Sequence, residues 1–322
     1  MEIVHITKES GIPLIGLAYI GILTRNNNSL LQIRATTLCN LNCPFCSTDA
    51  GINSRHTQYV VDLPWLIEWI KEIVDYYNGV DWAHVDSVGE PMMYPRLIEL
   101  VHDLKKIQGI KKVSMITNGS LLSENSVKLL EESGLDKINV SLHSLDKERG
   151  KMLFGSSLYD IDKVVAGIKM LKKTKIEVWL TPVYFPKFNE EDIERIIEFA
   201  KENDCKLGIQ KYELHKYGRK FKGVKEQNYY QFYKKLGEWE KKFNVKLKHG
   251  SRDMSLQKTR RLPEKLELNK LYNVEVKEKG WLKGQVIGVA ENRAVTLLRD
   301  AGKGKRIRAK VIENKNNIYM MK

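Results

Sequence analysis

The stretch TTLCNLNCPFCSTDAG, Thr36 to Gly51, holds three of the chain's four cysteines, Cys39, Cys43 and Cys46, in a C-x3-C-x2-C array. Three thiols cannot all pair as disulfides, and a closed structural zinc site takes four ligands. Soft thiolates at short spacing select zinc or an iron–sulfur cluster. Cys205 could in principle complete a zinc site, whereas a cubane cluster held by three cysteines leaves one iron open to a substrate or cofactor. Four cysteines in 322 residues make no disulfide framework, and this usage points to a reducing, cytoplasmic setting.

Upstream of the loop, the apolar run Gly11 to Leu23 lacks a basic leader and is too short to span a bilayer. It is read as part of a hairpin, LAYIGILTRNNNSLLQIRATT, that turns at Asn26 to Ser29 and delivers the chain into the cysteine loop. Downstream, β-branched runs alternate with amphipathic segments. Strands are expected at Leu30–Thr37, Trp82–Val88, Lys111–Thr117, Lys137–His143, Ile176–Val183 and Lys206–Tyr212. The intervening helices carry start and stop signals: Asp62 before Pro64, Pro95, Ser123 with Gly134 beyond, and a last helix from about Glu226 to Phe243. Six β-then-α units favour a parallel sheet with right-handed crossovers. The expected fold is α/β, a partial (βα)6 TIM-like barrel, with chemistry at the carboxyl ends of its strands.

The alternation stops near Lys248. Residues 1–248 are expected to form the barrel domain, 249–265 a polar linker, and 266–322 a small basic all-β barrel punctuated by Gly280, Gly284, Gly288, Gly302 and Gly304. Formal net charge is +14, and residues 260–322 hold 16 Lys/Arg against 7 Asp/Glu, so the charge is localised in that last fifth.

With Phe45 just before its last cysteine, the loop resembles the signature of the radical S-adenosylmethionine superfamily, C-x3-C-x-aromatic-C. The companion motifs follow in order: VGEP (Val88–Pro91), ITNGSLL (Ile116–Leu122) and NVSLHS (Asn139–Ser144). Val88 departs from the family's Gly-Gly-Glu-Pro, leaving Gly89 and Glu90 matched. The resemblance implies that Cys39, Cys43 and Cys46 hold a [4Fe–4S] cluster whose fourth iron is chelated by the amine and carboxylate of S-adenosylmethionine, which is reductively cleaved to a 5′-deoxyadenosyl radical. It implies cofactor contacts from Phe45 (adenine), Gly89 and Glu90 (methionyl amine), and Thr117, Asn118 and Ser141 (carboxylate and ribose). It also implies an electron donor of the flavodoxin or ferredoxin type. One spare thiol, Cys205, cannot anchor a second cluster.

The terminal segment resembles a TRAM domain, a small RNA-binding barrel appended to tRNA-modifying enzymes, in KGQVIGVAENRAVTLL and KGKRIRAKVIENKNN. On that resemblance the partner is RNA, in the first place tRNA, gripped through Lys303, Lys305, Arg306 and Arg308. The basic, aromatic Gln210–Lys225 loop, with Tyr212, Tyr217 and Phe221, suits stacking on an unpaired base. The alternative is a radical enzyme acting on a small molecule or peptide, with the basic barrel as an interaction module. No membrane partner is expected.

Overall fold

The computed structural model describes residues 3–24, 28–250, 253 and 256–322. The chain forms two compact units, Met1–Leu38 with Ser54–Lys112 and Leu256–Lys322, and Cys39–Asn53 with Val113–Ser255.

The first unit opens with β1 (Ile3–Ile6), β2 (Gly21–Thr24) and β3 (Leu30–Arg34), followed by β4 (Gln58–Val61), α1 (Leu63–Tyr77), β5 (Val80–Asp86) and α2 (Leu97–Lys106). β2 and β3 pair antiparallel, Gly21 opposite Arg34, as the hairpin reading expects. Asn26 and Asn27 of the expected turn lie outside the described residues. β3 runs parallel to β5. The β1–β4 pair has no counterpart among the expected strands, and it joins residues 3–6 to 58–61 in parallel. IVHI and QYVV are too short to carry a period by themselves. α1 starts where Asp62 and Pro64 indicate, whereas Pro95 precedes the first turn of α2, whose N-cap is Arg96.

The chain enters the second unit along β6 (Ile110–Thr117) and continues through α3 (Glu124–Glu132), β7 (Lys137–Val140), α4 (Lys147–Phe154), α5 (Ile161–Leu171), β8 (Glu177–Leu180), β9 (Val183–Tyr184), α6 (Glu190–Glu202), β10 (Lys206–Leu207), β11 (Gln210–Lys211) and α7 (Tyr229–Phe243). Strands β6, β7, β8 and β10 are parallel neighbours in that order. Ser123 caps α3 in a reciprocal box with Ser126. Helix α4 is additional to the expected elements: its apolar periodicity is weak, but Asp146 caps it and Gly155 ends it in the left-handed conformation. Helix α7 begins at Tyr229 rather than Glu226, because Asn228 and Gln231 form its capping box. The sixth expected strand is broken into β10 and β11, which pair with β8 and β9.

The terminal barrel belongs to the first unit. β12 (Leu271–Lys279), β13 (Val286–Ala290), β14 (Arg293–Leu297), β15 (Arg306–Glu313) and β16 (Met320–Met321) close in the order β12-β13-β14-β16-β15. They enclose a core of Val274, Val276, Val295, Leu297, Tyr319 and Met321, among others. This barrel is bonded to the opening residues of the chain: Ala294 N–H donates to Ile15 O and Tyr319 N–H to Gly16 O, both at 2.9 Å. Trp281 stacks on Tyr19, and Tyr59 Oη donates to Lys279 O at 2.8 Å. The preceding polar segment is laid down along the same unit, Gln257 N–H donating to Ser29 Oγ and Tyr76 Oη to Arg261 O. No helix among the described residues is long and apolar enough to cross a membrane.

Candidate functional site

In the second unit the cysteine loop is fastened at the carboxyl end of β6. Asn118, which follows β6, donates from Nδ2 to Asn40 Oδ1 at 3.0 Å; Asn40 Nδ2 donates to Ser120 Oγ at 2.9 Å; and Ser120 Oγ donates to Asn118 Oδ1 at 2.6 Å. This closed ring holds the residue next to Cys39. Asn118 is thereby bound to the loop, so its observed work is positioning. Thr117 is buried at the end of β6 and its Oγ1 accepts from Gly119 N–H. Ser141, just past β7, is half-buried and donates its backbone N–H to Thr117 O.

The other side of the loop is held by Arg219, from the Gln210–Lys225 segment expected to meet an unpaired base. Arg219 donates from Nε to Cys43 O at 2.7 Å, from Nη1 to Asn42 Oδ1 and Asp49 Oδ1 at 2.9 Å each, and from Nη2 to Ala50 O at 2.6 Å. Its backbone N–H donates to Cys46 O at 2.8 Å. Gly218 lets the chain come this close, since a Cβ there would stand 2.8 Å from the carbonyl oxygens of Cys46 and Ser47. Five bonds from one residue tie together three backbone carbonyls and two side-chain oxygens of an irregular loop that has few backbone bonds of its own.

Within the Gln210–Lys225 segment this corrects the base-gripping reading for Arg219, Tyr212 and Phe221. Arg219 faces the cysteine loop. Tyr212 is 2% exposed, its hydroxyl accepting from Phe221 N–H, and cannot stack on a base. Phe221 packs on Phe185, Phe188 and Phe45. The signal that could have found Arg219 was its position: a Gly-Arg pair leaving the last parallel strand.

Phe45 stands in that same aromatic cluster, its ring 4.7 Å from Phe185 and edge-on to His143 at 5.0 Å. His143 is buried; its Nδ1 accepts from Val183 N–H at 3.1 Å, which leaves the proton on Nε2. Burial pushes its pKa down to about 3, so the imidazole is neutral. Cys43 is driven in the opposite sense: burial first, then the neighbouring Cys46 and Cys39, push its thiol well above the ordinary range. Cys46 Sγ lies 3.3 Å from Thr48 Oγ1. Among the described residues no three His, Cys, Asp or Glu side chains close on a single ion. Cys205 is outside this constellation, lining a cavity of about 370 Å³ with Trp179, Lys206 and His249 beside β8 and β10.

In the first unit, Gly89 and Glu90 follow β5 and lie against the backbone that leads into the loop. Glu90 N–H donates to Leu38 O at 2.7 Å. A Cβ on Gly89 would run into that carbonyl and that of Thr37, so only glycine fits. The Glu90 side chain is 2% exposed, and its Oε1 accepts from Met92 N–H at 3.0 Å. Ser87 Oγ bridges Thr36 O and Gly89 N–H.

The sequence profile of the Radical SAM superfamily matches residues 33–200. An uncharacterised protein of Methanocaldococcus jannaschii is 35% identical over 96% of this chain and 78% of its own length. A GTP 3′,8-cyclase of Clostridium perfringens is 29% identical over 64% of this chain and 62% of the cyclase, so the chain spans a little under two thirds of that relative. Among solved structures, Streptococcus suis SuiB bound to S-adenosylmethionine superposes with a TM-score of 0.53 at 20% identity, over 73% of this chain and 49% of SuiB. That last likeness is one of fold, and the chain spans about half of SuiB.

Proposed function

Because the chain belongs to the radical S-adenosylmethionine superfamily, we propose that it is a radical enzyme whose substrate is RNA, in the first place tRNA. The superfamily uses a [4Fe–4S] cluster and S-adenosylmethionine, and the donor set fits the cluster. Three cysteines on one loop supply three ligands, and Arg219, Asn40 and Asn118 hold that loop. When bound and reduced by an electron donor of the flavodoxin or ferredoxin type, the pair supplies a carbon-centred radical that abstracts hydrogen from the substrate.

In this reading Cys39, Cys43 and Cys46 ligate the cluster and the carboxylate of Glu90 accepts from the methionyl amine, with Gly89 admitting close approach of the backbone. Thr117 and Ser141 serve the carboxylate and ribose. Phe45, His143 and Phe185 pack on one another next to the cysteines and would shield a bound cluster from water.

The observation that carries the RNA part is the outer face of β15. Arg306, Arg308 and Lys310 alternate with inward residues, so three exposed cations stand about 7 Å apart along one strand. Lys305 is exposed beside them, while Lys303 is shared with Glu278 at 3.1 Å. A row of this kind suits a phosphate backbone and gives salt-dependent affinity. In this reading the barrel does the work of a TRAM domain.

A second reading is favoured by the cyclase similarity: a substrate that is a purine nucleoside triphosphate, gripped as a free polyanion. The test is mass spectrometry of tRNA nucleosides after anaerobic turnover, beside the same assay with GTP. A new nucleoside mass with release of 5′-deoxyadenosine supports RNA; consumption of GTP with tRNA untouched overturns it.

A further inference from the structure

The amino end of α7 presents three tyrosines to solvent: Tyr229 (57% exposed), Tyr230 (77%) and Tyr233 (45%). The helix has an ample apolar face of its own, Phe232, Leu236, Trp239 and Phe243, all buried, so these rings are surplus to its packing. Tyr229 and Tyr233 lie one turn apart with ring planes only 27° from parallel, and Tyr230 neighbours Tyr233 at i,i+3. Exposed tyrosines clustered in this way offer large rigid faces at little entropic cost.

The charges around them are arranged to favour an anion. The segment from Gln210 to Lys234 has two carboxylates, Glu213 and Glu226, and Lys211 bonds both, at 3.6 and 2.7 Å. The ammonium of Lys211 also lies 5.0 Å from the centroid of the Tyr229 ring. Lys211 offsets one of these two carboxylate charges, and exposed Lys216, Lys220, Lys222, Lys225 and Lys234 outnumber the other, so the surface is cationic.

The patch is also close to the chemistry. Tyr229 Oη donates to Glu213 Oε1 at 2.5 Å, and Gly218, five residues on, lies against the Cys46 carbonyl. Five extended residues reach at most about 18 Å, which bounds the distance from Glu213 to Gly218 at the edge of the cysteine loop.

We infer that Tyr229, Tyr230 and Tyr233, with the lysines of 216–234, form a stacking platform for an unpaired RNA strand that leads its target nucleotide to the cysteine loop. This rests on the RNA reading above and gives it a place of contact separate from the barrel. Single strands are held where aromatic faces stack on bases and cations follow the backbone. Adding Tyr217 (37% exposed, with Lys216 5.0 Å from its centroid) extends the platform toward the loop.

The experiment is an anisotropy titration of the full chain with a labelled, unstructured single-stranded RNA, at two salt concentrations. The variants are Y229A/Y230A/Y233A and Y229F/Y230F/Y233F. A fall in affinity of roughly tenfold or more in the alanine triple, with the phenylalanine triple close to wild type, is expected because stacking needs the ring and not the hydroxyl. Since the three side chains are exposed, both variants should keep the wild-type circular dichroism melt. Unchanged affinity in the alanine triple beside a wild type that binds RNA overturns the platform and leaves the RNA reading standing. A wild type that binds no better than an equally basic control protein overturns the RNA reading and the platform together. If the alanine triple keeps its RNA affinity but is reduced more slowly by flavodoxin, the face belongs to a protein donor and the inference falls.

Discussion

Arg219 and Cys43 are 176 positions apart, yet the Arg219 guanidinium donates to the Cys43 carbonyl at 2.7 Å. The same side chain reaches Asn42, Asp49 and Ala50. The cysteine loop is therefore braced by the segment between β11 and α7.

Replacing Arg219 with alanine removes four side-chain bonds, each charge-assisted and worth about 1.5–3 kcal/mol in isolation, though not additively. Amide exchange across residues 39–50 should accelerate by at least about tenfold, while β6 and β7 stay protected. Iron bound on anaerobic reconstitution should fall too. Arg219→Lys, which keeps the charge without the planar fork, should recover only part of the protection. Wild-type exchange rates in the alanine variant would sink the bracing role.

Glu90 has two jobs in the proposed reading, and Glu90→Gln separates them. The amide oxygen still accepts from Met92 N–H, so the turn after β5 is kept, but the negative charge offered to the methionyl amine is gone. S-adenosylmethionine affinity should drop by roughly tenfold or more with cluster content unchanged, measured by anaerobic calorimetry. Equal affinity would remove Glu90 from the cofactor contacts.

The cysteines should divide three against one. Alanine at Cys39, Cys43 or Cys46 should abolish the brown chromophore of the reconstituted protein, and Cys205→Ala should keep it. Burial pushes the Cys205 thiol up to about 11, with Lys172 pulling the other way. Only the thiolate alkylates, and its fraction grows as pH rises toward the pKa. In the holoprotein, Cys205 should therefore still gain reactivity toward iodoacetamide above pH 9, where an ordinary thiol levels off. A plateau near pH 9 would contradict this environment.

In the barrel, changing Lys303, Lys305, Arg306 and Arg308 together to alanine should lower RNA affinity and flatten the plot of log affinity against log salt. The expected change in slope is about 0.9 for each phosphate that the variant no longer neutralises. The melting temperature should barely move, since the ion pair of Lys303 with Glu278 is exposed and worth at most about 1 kcal/mol. An unaltered salt slope would take the strand face of β15 out of RNA binding. Deletion from Leu266 onward is a harsher change, because it strips the hydrogen-bond partners of Ile15 and Gly16 and the ring that covers Tyr19.

The features legible in the residues themselves are local. The cysteine spacing, the strand-then-helix succession, the cap at Ser123 and Asn118's place at the end of a strand depend on neighbours within a few residues, so their residue types announce them. The turn at Gly89 and Glu90 is local in the same way. Whatever depends on partners far along the chain was settled by the fold. Apart from the glycine before it, Arg219 reads like Lys220 or Lys222; only the fold brings the carbonyls of residues 43, 46 and 50 to it. Tyr212 and Tyr230 are the same residue type in one basic stretch, yet the first is buried under Phe221 and the second stands in solvent, since helix α7 turns only one face inward. The parallel pairing of residues 3–6 with 58–61, and the bonds of the terminal barrel to Ile15 and Gly16, are likewise long-range hydrogen bonds whose geometry no local pattern encodes.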